Sequence, residues 1–155
     1  MSVAGIFGPL LGDSEIEQIL GDHARAQAMV MVEIALAKVE CRLGVIPADA
    51  GAAIEAALAG YAPDLEDLAR GTAAAGVPVP ALVAQLRRQV GGDAATYVHW
   101  GATSQDILDT ALVLQLREAL ALLARRLGQV SDALVRLANE HRATPIIGRT
   151  RYQQA

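Results

Sequence analysis

A single polar stretch, residues 97–110, carries the side chains whose types and spacing could do chemistry. It reads Tyr-Val-His-Trp-Gly-Ala-Thr-Ser-Gln-Asp-Ile-Leu-Asp-Thr and leads into a long helical pattern. Thr103 or Ser104 can cap that helix, with Asp106 in its first turn, and the free N–H groups of a helix start suit an anion such as a carboxylate. His99 can titrate near neutral pH and move a proton to or from a bound ligand. The residues alone leave two interpretations open, a carboxylate site with a titratable histidine or a well-capped helix with an incidental one.

The elements that must position this stretch are helices, because alanine and leucine dominate the chain. It has 155 residues, 53% of them hydrophobic and only 3% aromatic, which predicts an all-α fold with a real core, in one domain or part of a larger one. The net charge of −4 argues against nucleic acid as a partner, because no basic face is available to neutralise phosphates.

Cysteine content and hydropathy bear on the compartment. Cys41 is the single cysteine, so an intramolecular disulfide is excluded and a reducing compartment is favoured. The first residues lack the basic region of a signal peptide, and no uncharged apolar run reaches the roughly 18–20 residues that span a bilayer. We therefore expect a cytoplasmic protein with no membrane partner.

Glycine, proline and capping residues divide the chain into predicted elements. After an irregular lead-in over residues 2–12, helices are predicted at 13–20, 22–43, 48–59, 64–70, 81–90 and 104–141, with a short turn at 93–97. Gly71 is predicted to end the fourth helix, which makes residues 71–80 a linker or a loop laid over a site.

The second predicted helix has an apolar face and charged positions between its apolar residues. The apolar face is predicted from the three- and four-residue spacing of Met29, Val32, Leu36, Val39 and Leu43. The charged residues among them, which are Glu33, Lys38, Glu40 and Arg42, are predicted to be solvated or to lie at the rim.

Two stretches resemble signatures of the fumarase/aspartase superfamily. Residues 98–111 closely resemble the first signature, and residues 148–155, Gly-Arg-Thr-Arg-Tyr-Gln-Gln-Ala, resemble the second, usually Gly-Arg-Thr-His-x-Gln-x-Ala. Within the superfamily, residues 101–106 and 109–117 are most similar to the bacterial 3-carboxy-cis,cis-muconate cycloisomerases, and residues 36–47 fit the same group. The resemblance spans nearly the whole chain but only the N-terminal third of a family member. It implies an N-terminal helical domain at 1–102 and the truncated start of a central helical bundle at 103–155.

The resemblance implies an enzyme that closes a lactone ring. A carboxylate of the tricarboxylate 3-carboxy-cis,cis-muconate adds across a conjugated double bond and gives 4-carboxymuconolactone, a step of aromatic catabolism in the β-ketoadipate pathway. The superfamily needs no cofactor and no metal for this chemistry. Its third signature, a Gly-Ser-Ser-x-Met-Pro-x-Lys-x-Asn loop, is absent from the 155 residues, so the general acid or base stays open.

Residue roles follow from the resemblance position by position. It implies catalytic roles for His99, Ser104 and Arg151. It implies substrate binding by two sets of residues, Thr103, Ser104 and Gln105 at the helix start and Arg149, Thr150, Arg151 and Gln153 in the second signature. Most superfamily lyases have a histidine where this chain has Arg151; an arginine can clamp a carboxylate with two hydrogen bonds, or it can form an ordinary salt bridge. The bacterial cycloisomerases commonly lack that histidine, so its absence favours them over adenylosuccinate lyase.

The length of the last helix bears on assembly. If residues 104–141 form one helix, its ends lie about 55 Å apart at 1.5 Å per residue, so the two signatures cannot line one pocket of one subunit. Antiparallel packing of neighbouring subunits would bring them together, and the superfamily forms tetramers with shared active sites. We expect a homotetramer. Two alternatives remain, another superfamily lyase such as adenylosuccinate lyase, or a helical assembly module without catalysis.

Overall fold

The computed structural model describes residues 6–148 and 151–152, and within these ranges every regular element is a helix. The predicted all-α fold is therefore confirmed. The helices are α1 (Gly8–Leu11), α2 (Ser14–Leu20), α3 (Asp22–Arg42), α4 (Ala48–Leu58), α5 (Leu65–Ala75), α6 (Val79–Val90) and α7 (Ser104–Glu140), and a 3₁₀ turn (Asp93–Tyr97) precedes α7.

The chain divides into two compact units, residues 1–119 and 120–155. In the first unit α3 packs against α2, α4 and α5, while α6 packs against α4 and α5. Met29, Ile54, Leu58, Leu82 and Leu86 are almost fully buried between these helices. Burying such side chains stabilises the fold by roughly 1.5–3 kcal/mol each, so this cluster is the main support of the segment that precedes α7.

The second unit contains the remainder of α7 and the residues that follow it. Six of its large apolar residues on α7 recur at alternating three- and four-residue intervals and are 42–68% exposed, whereas Leu122 is buried. We call this row the α7 stripe; it consists of Leu120, Leu123, Leu127, Val130, Leu134 and Leu137. Such a repeat of seven residues places the row on one side of the helix.

Local sequence explains most helix boundaries. The carboxylate of Asp13 accepts a hydrogen bond from the Ile16 amide, and the carboxylate of Asp64 accepts from the Glu66 and Asp67 amides, so each caps the helix that follows it. The prediction that residues 2–12 are irregular is wrong in part, because α1 lies within them. Pro9 lies in the first turn of α1, a position where the missing N–H group costs nothing.

The prediction that Gly71 ends a helix is wrong. Helix α5 continues to Ala75 and ends at Gly76, whose φ of 79° is the left-handed conformation that favours glycine. A Cβ atom at Gly71 would lie 2.4 Å from the Cβ atom of Ala81, so glycine allows α5 and α6 to approach closely. Consequently residues 71–80 are not a long loop.

The described helices have no membrane-spanning character. None of them combines the length and the apolar character that crossing a bilayer requires.

Candidate functional site

The loop between the 3₁₀ turn and α7 is held in place at its start. Val98 is buried, and its carbonyl oxygen accepts a hydrogen bond of 3.0 Å from Nη2 of Arg87 on α6. The rings of Tyr97 and Trp100 contact each other with centroids 5.4 Å apart. These contacts fix the position from which His99 extends.

His99 has an unusual backbone and a tightly bound ring. Its φ is 62°, which makes it the one non-glycine residue with a left-handed backbone in the described part of the chain. Such a conformation is sparsely populated, although histidine adopts it more readily than most residues. The ring nitrogen Nδ1 lies 2.6 Å from Oε1 of Glu33 on α3, and the His99 side chain is 16% exposed. This contact leaves the ring nitrogen Nε2 as the one that can reach a ligand.

Two glutamates of α3 are buried beneath this loop. Glu33 is 2% exposed and Glu40 is 9% exposed, and in each of them the Oε2 atom has no hydrogen-bond partner among the described residues. The prediction that both are solvated or rim charges is wrong. They are seven residues apart on α3, two full turns, and therefore share one face.

The buried face of α3 differs from the predicted apolar face. Val39 is 41% exposed and Leu43 is 69% exposed, whereas the row formed by Ala26, Val30, Glu33, Ala37 and Glu40 is buried. The small residues of this row let neighbouring elements approach the helix. The small residues of the row recur at helical spacing on both sides of Glu33. This spacing is the signal in the sequence that could have predicted the burial of both glutamates.

Burial controls the protonation of these carboxyl groups. Loss of hydration raises the pKa of Glu33, and the charge of Glu40 adds to this effect. His99 and, more weakly, Arg87 oppose it and lower the pKa of Glu33. Burial also raises the pKa of Glu40, again opposed by His99. A group of two acids and one imidazole therefore lies under the loop and can hold or exchange a proton.

The start of α7 shows one half of the capping arrangement that the sequence predicts, the half that involves Asp106. The helix begins at Ser104, and the backbone N–H of Thr103 donates a 2.8 Å hydrogen bond to Oδ2 of Asp106. This bond is the reciprocal half of a capping box, so Asp106 braces the helix start. Ser104 is half-buried, while Thr103 and Gln105 are exposed, and the amide of Gln105 donates to Asp109.

An apolar cleft of about 420 Å³ opens beside the loop, between α3 and the start of α7. Glu40 and Trp100 line it together with Val32, Leu36 and Ile107. None of the predicted substrate-binding residues that the structure describes lies in its wall. The cleft therefore borders the helix start where a carboxylate was expected, through Ala102 and Asp106, but the side chains of Thr103, Ser104 and Gln105 do not line it.

The predicted site residues fall into two groups. His99, Thr103, Ser104 and Gln105 lie on one loop and the helix start that follows it. In the second unit, Arg151 is exposed, and its guanidinium carbon lies 5.0 Å from the centroid of the Tyr152 ring. The remaining predicted residues, Arg149, Thr150 and Gln153, lie outside the described residues.

Metal ligation has no candidate in the part of the chain that the structure describes. No cluster of three or more histidine, cysteine, aspartate or glutamate side chains there could hold an ion.

Similar proteins point to one family. A family model described as lyase matches residues 11–155. The chain is 48% identical over 140 residues to the 3-carboxy-cis,cis-muconate cycloisomerase of Pseudomonas aeruginosa, covering 88% of this chain and 30% of the relative. It is 42% identical over 150 residues to the nitrosuccinate lyase of Streptomyces davaonensis, covering 95% and 32% of the two chains.

A solved structure supports the same relationship. The crystal structure of 3-carboxy-cis,cis-muconate lactonizing enzyme from Pseudomonas putida matches with a TM-score of 0.88 at 41% identity. The match covers 97% of this chain and 35% of that one, so the chain spans about a third of the length of the relatives it matches. With a family model matched over nearly all its residues, the chain belongs to this lyase family, within the fumarase/aspartase superfamily.

Proposed function

We propose that the complete protein is a cycloisomerase that converts 3-carboxy-cis,cis-muconate to 4-carboxymuconolactone. The observation that carries this proposal is the 48% identity to the Pseudomonas aeruginosa cycloisomerase, which extends over most of this chain. The β-ketoadipate pathway of aromatic catabolism and a cytoplasmic location follow from that assignment as parts of the same proposal.

The reaction needs one new bond and one proton. A carboxylate oxygen of the substrate forms a C–O bond to one carbon of a conjugated double bond, and the neighbouring carbon takes up a proton. We propose that the helix start at Thr103, Ser104 and Gln105 binds a second substrate carboxylate, since free N–H groups and hydroxyls favour an anion there. His99 then orients the substrate or relays the proton through Nε2. The reaction requires no cofactor.

The second signature would form the opposite wall of the site. We propose that Arg149, Thr150, Arg151 and Gln153 bind the remaining carboxylate groups. The exposed guanidinium of Arg151 supports this role, because its planar fork matches a carboxylate with two hydrogen bonds. An active site that combines both signatures would be assembled from different subunits.

We also propose a homotetramer and a domain boundary. The α7 stripe supports self-association, since six large apolar residues on one side of a helix resemble the seam of a coiled coil. In the complete protein, residues 1–102 would form the N-terminal domain, and residues 103–155 would begin the central bundle. We expect the 155 residues alone to show no appreciable turnover, because they do not contain the third signature.

The decisive assay measures the loss of diene absorbance after the complete protein is mixed with 3-carboxy-cis,cis-muconate. We expect His99→Asn and Ser104→Ala each to lower kcat/KM by about 10²-fold or more, the usual contribution of a proton-transfer group or an oriented hydrogen bond. Asparagine suits position 99 because it tolerates the left-handed backbone. His23→Asn, at an exposed histidine near the start of α3, is the matched control and should keep full activity.

A second candidate is a lyase reaction, which the 42% identity to a nitrosuccinate lyase favours. Turnover of nitrosuccinate, with no loss of diene absorbance from 3-carboxy-cis,cis-muconate, would select it; adenylosuccinate is a further substrate for the same comparison. A non-catalytic helical module predicts that no substrate is consumed. Equal activity of the parent protein and both site variants would reject the proposed roles of His99 and Ser104.

A further inference from the structure

We infer that Glu33 is a positioning residue that fixes the tautomer and the orientation of the His99 ring. This inference rests on the proposed role of His99 in the reaction. It assigns a function to a residue of α3 that lies 66 positions before the histidine in sequence.

The contact between the two side chains is short and sheltered. Oε1 of Glu33 and Nδ1 of His99 are 2.6 Å apart, a distance typical of a charge-assisted hydrogen bond. The Glu33 side chain is 1% exposed, so water competes little for its carboxylate. The described hydrogen bonds give Glu33 one partner, His99, while its Oε2 atom has none.

The chemistry of the pair determines which ring nitrogen carries the hydrogen. When Glu33 is ionised, its carboxylate can only accept hydrogen bonds, so Nδ1 of His99 donates. In a neutral ring Nε2 then has the free lone pair and can take up a proton from a ligand or return it. The carboxylate also stabilises the imidazolium that forms when Nε2 is protonated. Glu40 and Arg87 are the other charged groups that act on Glu33, and neither replaces its hydrogen bond to the ring.

The backbone at His99 shows why the ring needs a fixed partner. A left-handed residue directs its side chain differently from its neighbours, and this conformation costs roughly 1 kcal/mol or more for a residue with a Cβ atom. Two residues further on, Gly101 also has a positive φ. Glu33 is held on the rigid α3 helix and so gives the imidazole one orientation.

The test uses two substitutions of Glu33 in the complete protein. Glu33→Met keeps a similar shape but removes the acceptor, and Glu33→Gln keeps a neutral acceptor. Nitrogen-15 NMR of the histidines, with His99 assigned from the His99→Asn spectrum, reports which ring nitrogen is protonated. Steady-state kinetics on 3-carboxy-cis,cis-muconate separates kcat from KM.

We expect His99 to carry its hydrogen on Nδ1 in the parent protein and on Nε2 in Glu33→Met. In that variant kcat should fall about 10²-fold while KM changes less than about threefold, since the ring and not the substrate contact is altered. Glu33→Gln should rescue part of kcat. A melting temperature of Glu33→Met no lower than that of the parent would show that the loss is not a loss of folding.

Glu40→Gln is the matched control for the NMR measurement, since it changes a second buried acid on the same face of α3 without touching the ring. It should leave the hydrogen of His99 on Nδ1. The inference is overturned if His99 carries its hydrogen on Nε2 in the parent protein, or if Glu33→Met keeps kcat within about threefold of the parent. Full activity of His99→Asn would instead reject the proposed role of His99, while the tautomer shift would still report the Glu33 contact.

Discussion

At the scale of single residues, position 99 has to satisfy a backbone requirement and a side-chain requirement together. Glycine at position 99 would remove the strain of the left-handed backbone but would lose the hydrogen bond to Glu33. Asparagine would also tolerate this backbone, but its side chain is shorter than that of histidine. Histidine meets both needs. The site therefore depends on a residue that backbone preference alone would not select.

Glu40 yields a prediction about stability and pH. Because burial raises its pKa in the folded protein, folding takes up a proton, and the charged form destabilises the fold as pH rises through that raised pKa. Glu40→Gln removes the charge. We expect its melting temperature to equal that of the parent below the ordinary glutamate pKa and to exceed it increasingly toward neutral pH.

The control for this prediction is another glutamate with the opposite exposure. Glu55 forms an exposed salt bridge of 2.7 Å with Lys38, and such a pair contributes about 0–1 kcal/mol. Glu55→Gln should therefore lower the melting temperature slightly or leave it unchanged near neutral pH. A pH-independent effect of Glu40→Gln would contradict the assignment of a buried, charge-sensitive carboxyl group at position 40.

At the scale of helices, the approach of α5 to α6 gives a second stability prediction. In an open helix, Gly→Ala stabilises by about 1 kcal/mol, but a Cβ atom at Gly71 would lie 2.4 Å from the Cβ atom of Ala81. We expect Gly71→Ala to destabilise the fold by about 1–3 kcal/mol, the usual cost of overpacking. Thermal or denaturant unfolding of the complete protein measures it.

A double substitution isolates the steric cause. Ala81→Gly alone should destabilise by about 1 kcal/mol through helix propensity, yet in combination with Gly71→Ala it opens the space that the new Cβ atom needs. The double variant should therefore be more stable than Gly71→Ala. Strict additivity of the two changes would rule out the contact as the cause.

The same helices show what the sequence could and could not predict. The starts of α2, α5 and α7 depend on neighbouring residues, so local patterns predict them to within one residue. Gly71 was misassigned because a glycine that ends a helix and one that permits close packing look alike in sequence. Glu33 and Glu40 are predicted at the surface because glutamate is usually exposed, and the residue that contacts Glu33 lies 66 positions away in sequence.

For the candidate site, too, the sequence predicts the local features but not the contact between distant residues. The loop around His99 and the capping of α7 were found because one continuous stretch carries them. The partner of His99 was not, since a single sequence contains no signal for a contact between α3 and that loop. The roles of Arg149, Thr150 and Gln153 stay predictions.

At the scale of the whole molecule, the α7 stripe predicts how assembly can be broken. Leu127 and Leu134 are 68% and 61% exposed and lie one heptad apart. If other copies cover them, Leu127→Glu combined with Leu134→Glu should convert the proposed tetramer into smaller species, because two buried charges per helix are costly. Light scattering of the complete protein gives the mass.

Gln129→Glu is the control for this change, since it adds a charge of the same sign at a residue on the opposite side of α7 from the stripe. It should leave the mass unaltered. A mass equal to that of the parent in the double variant would mean that the stripe is not the contact surface. A monomeric parent protein would reject the tetramer itself.

The α7 stripe also predicts that the stability of this protein depends on its concentration. If other copies cover the α7 stripe, its apolar surface is buried by a reaction between molecules, so the free energy gained depends on the protein concentration. A dilution series should accordingly shift the melting temperature downward, and the Leu127→Glu, Leu134→Glu variant should lose that dependence. In a cell, the rate at which the chain is synthesised would then help to determine how much of it stays folded.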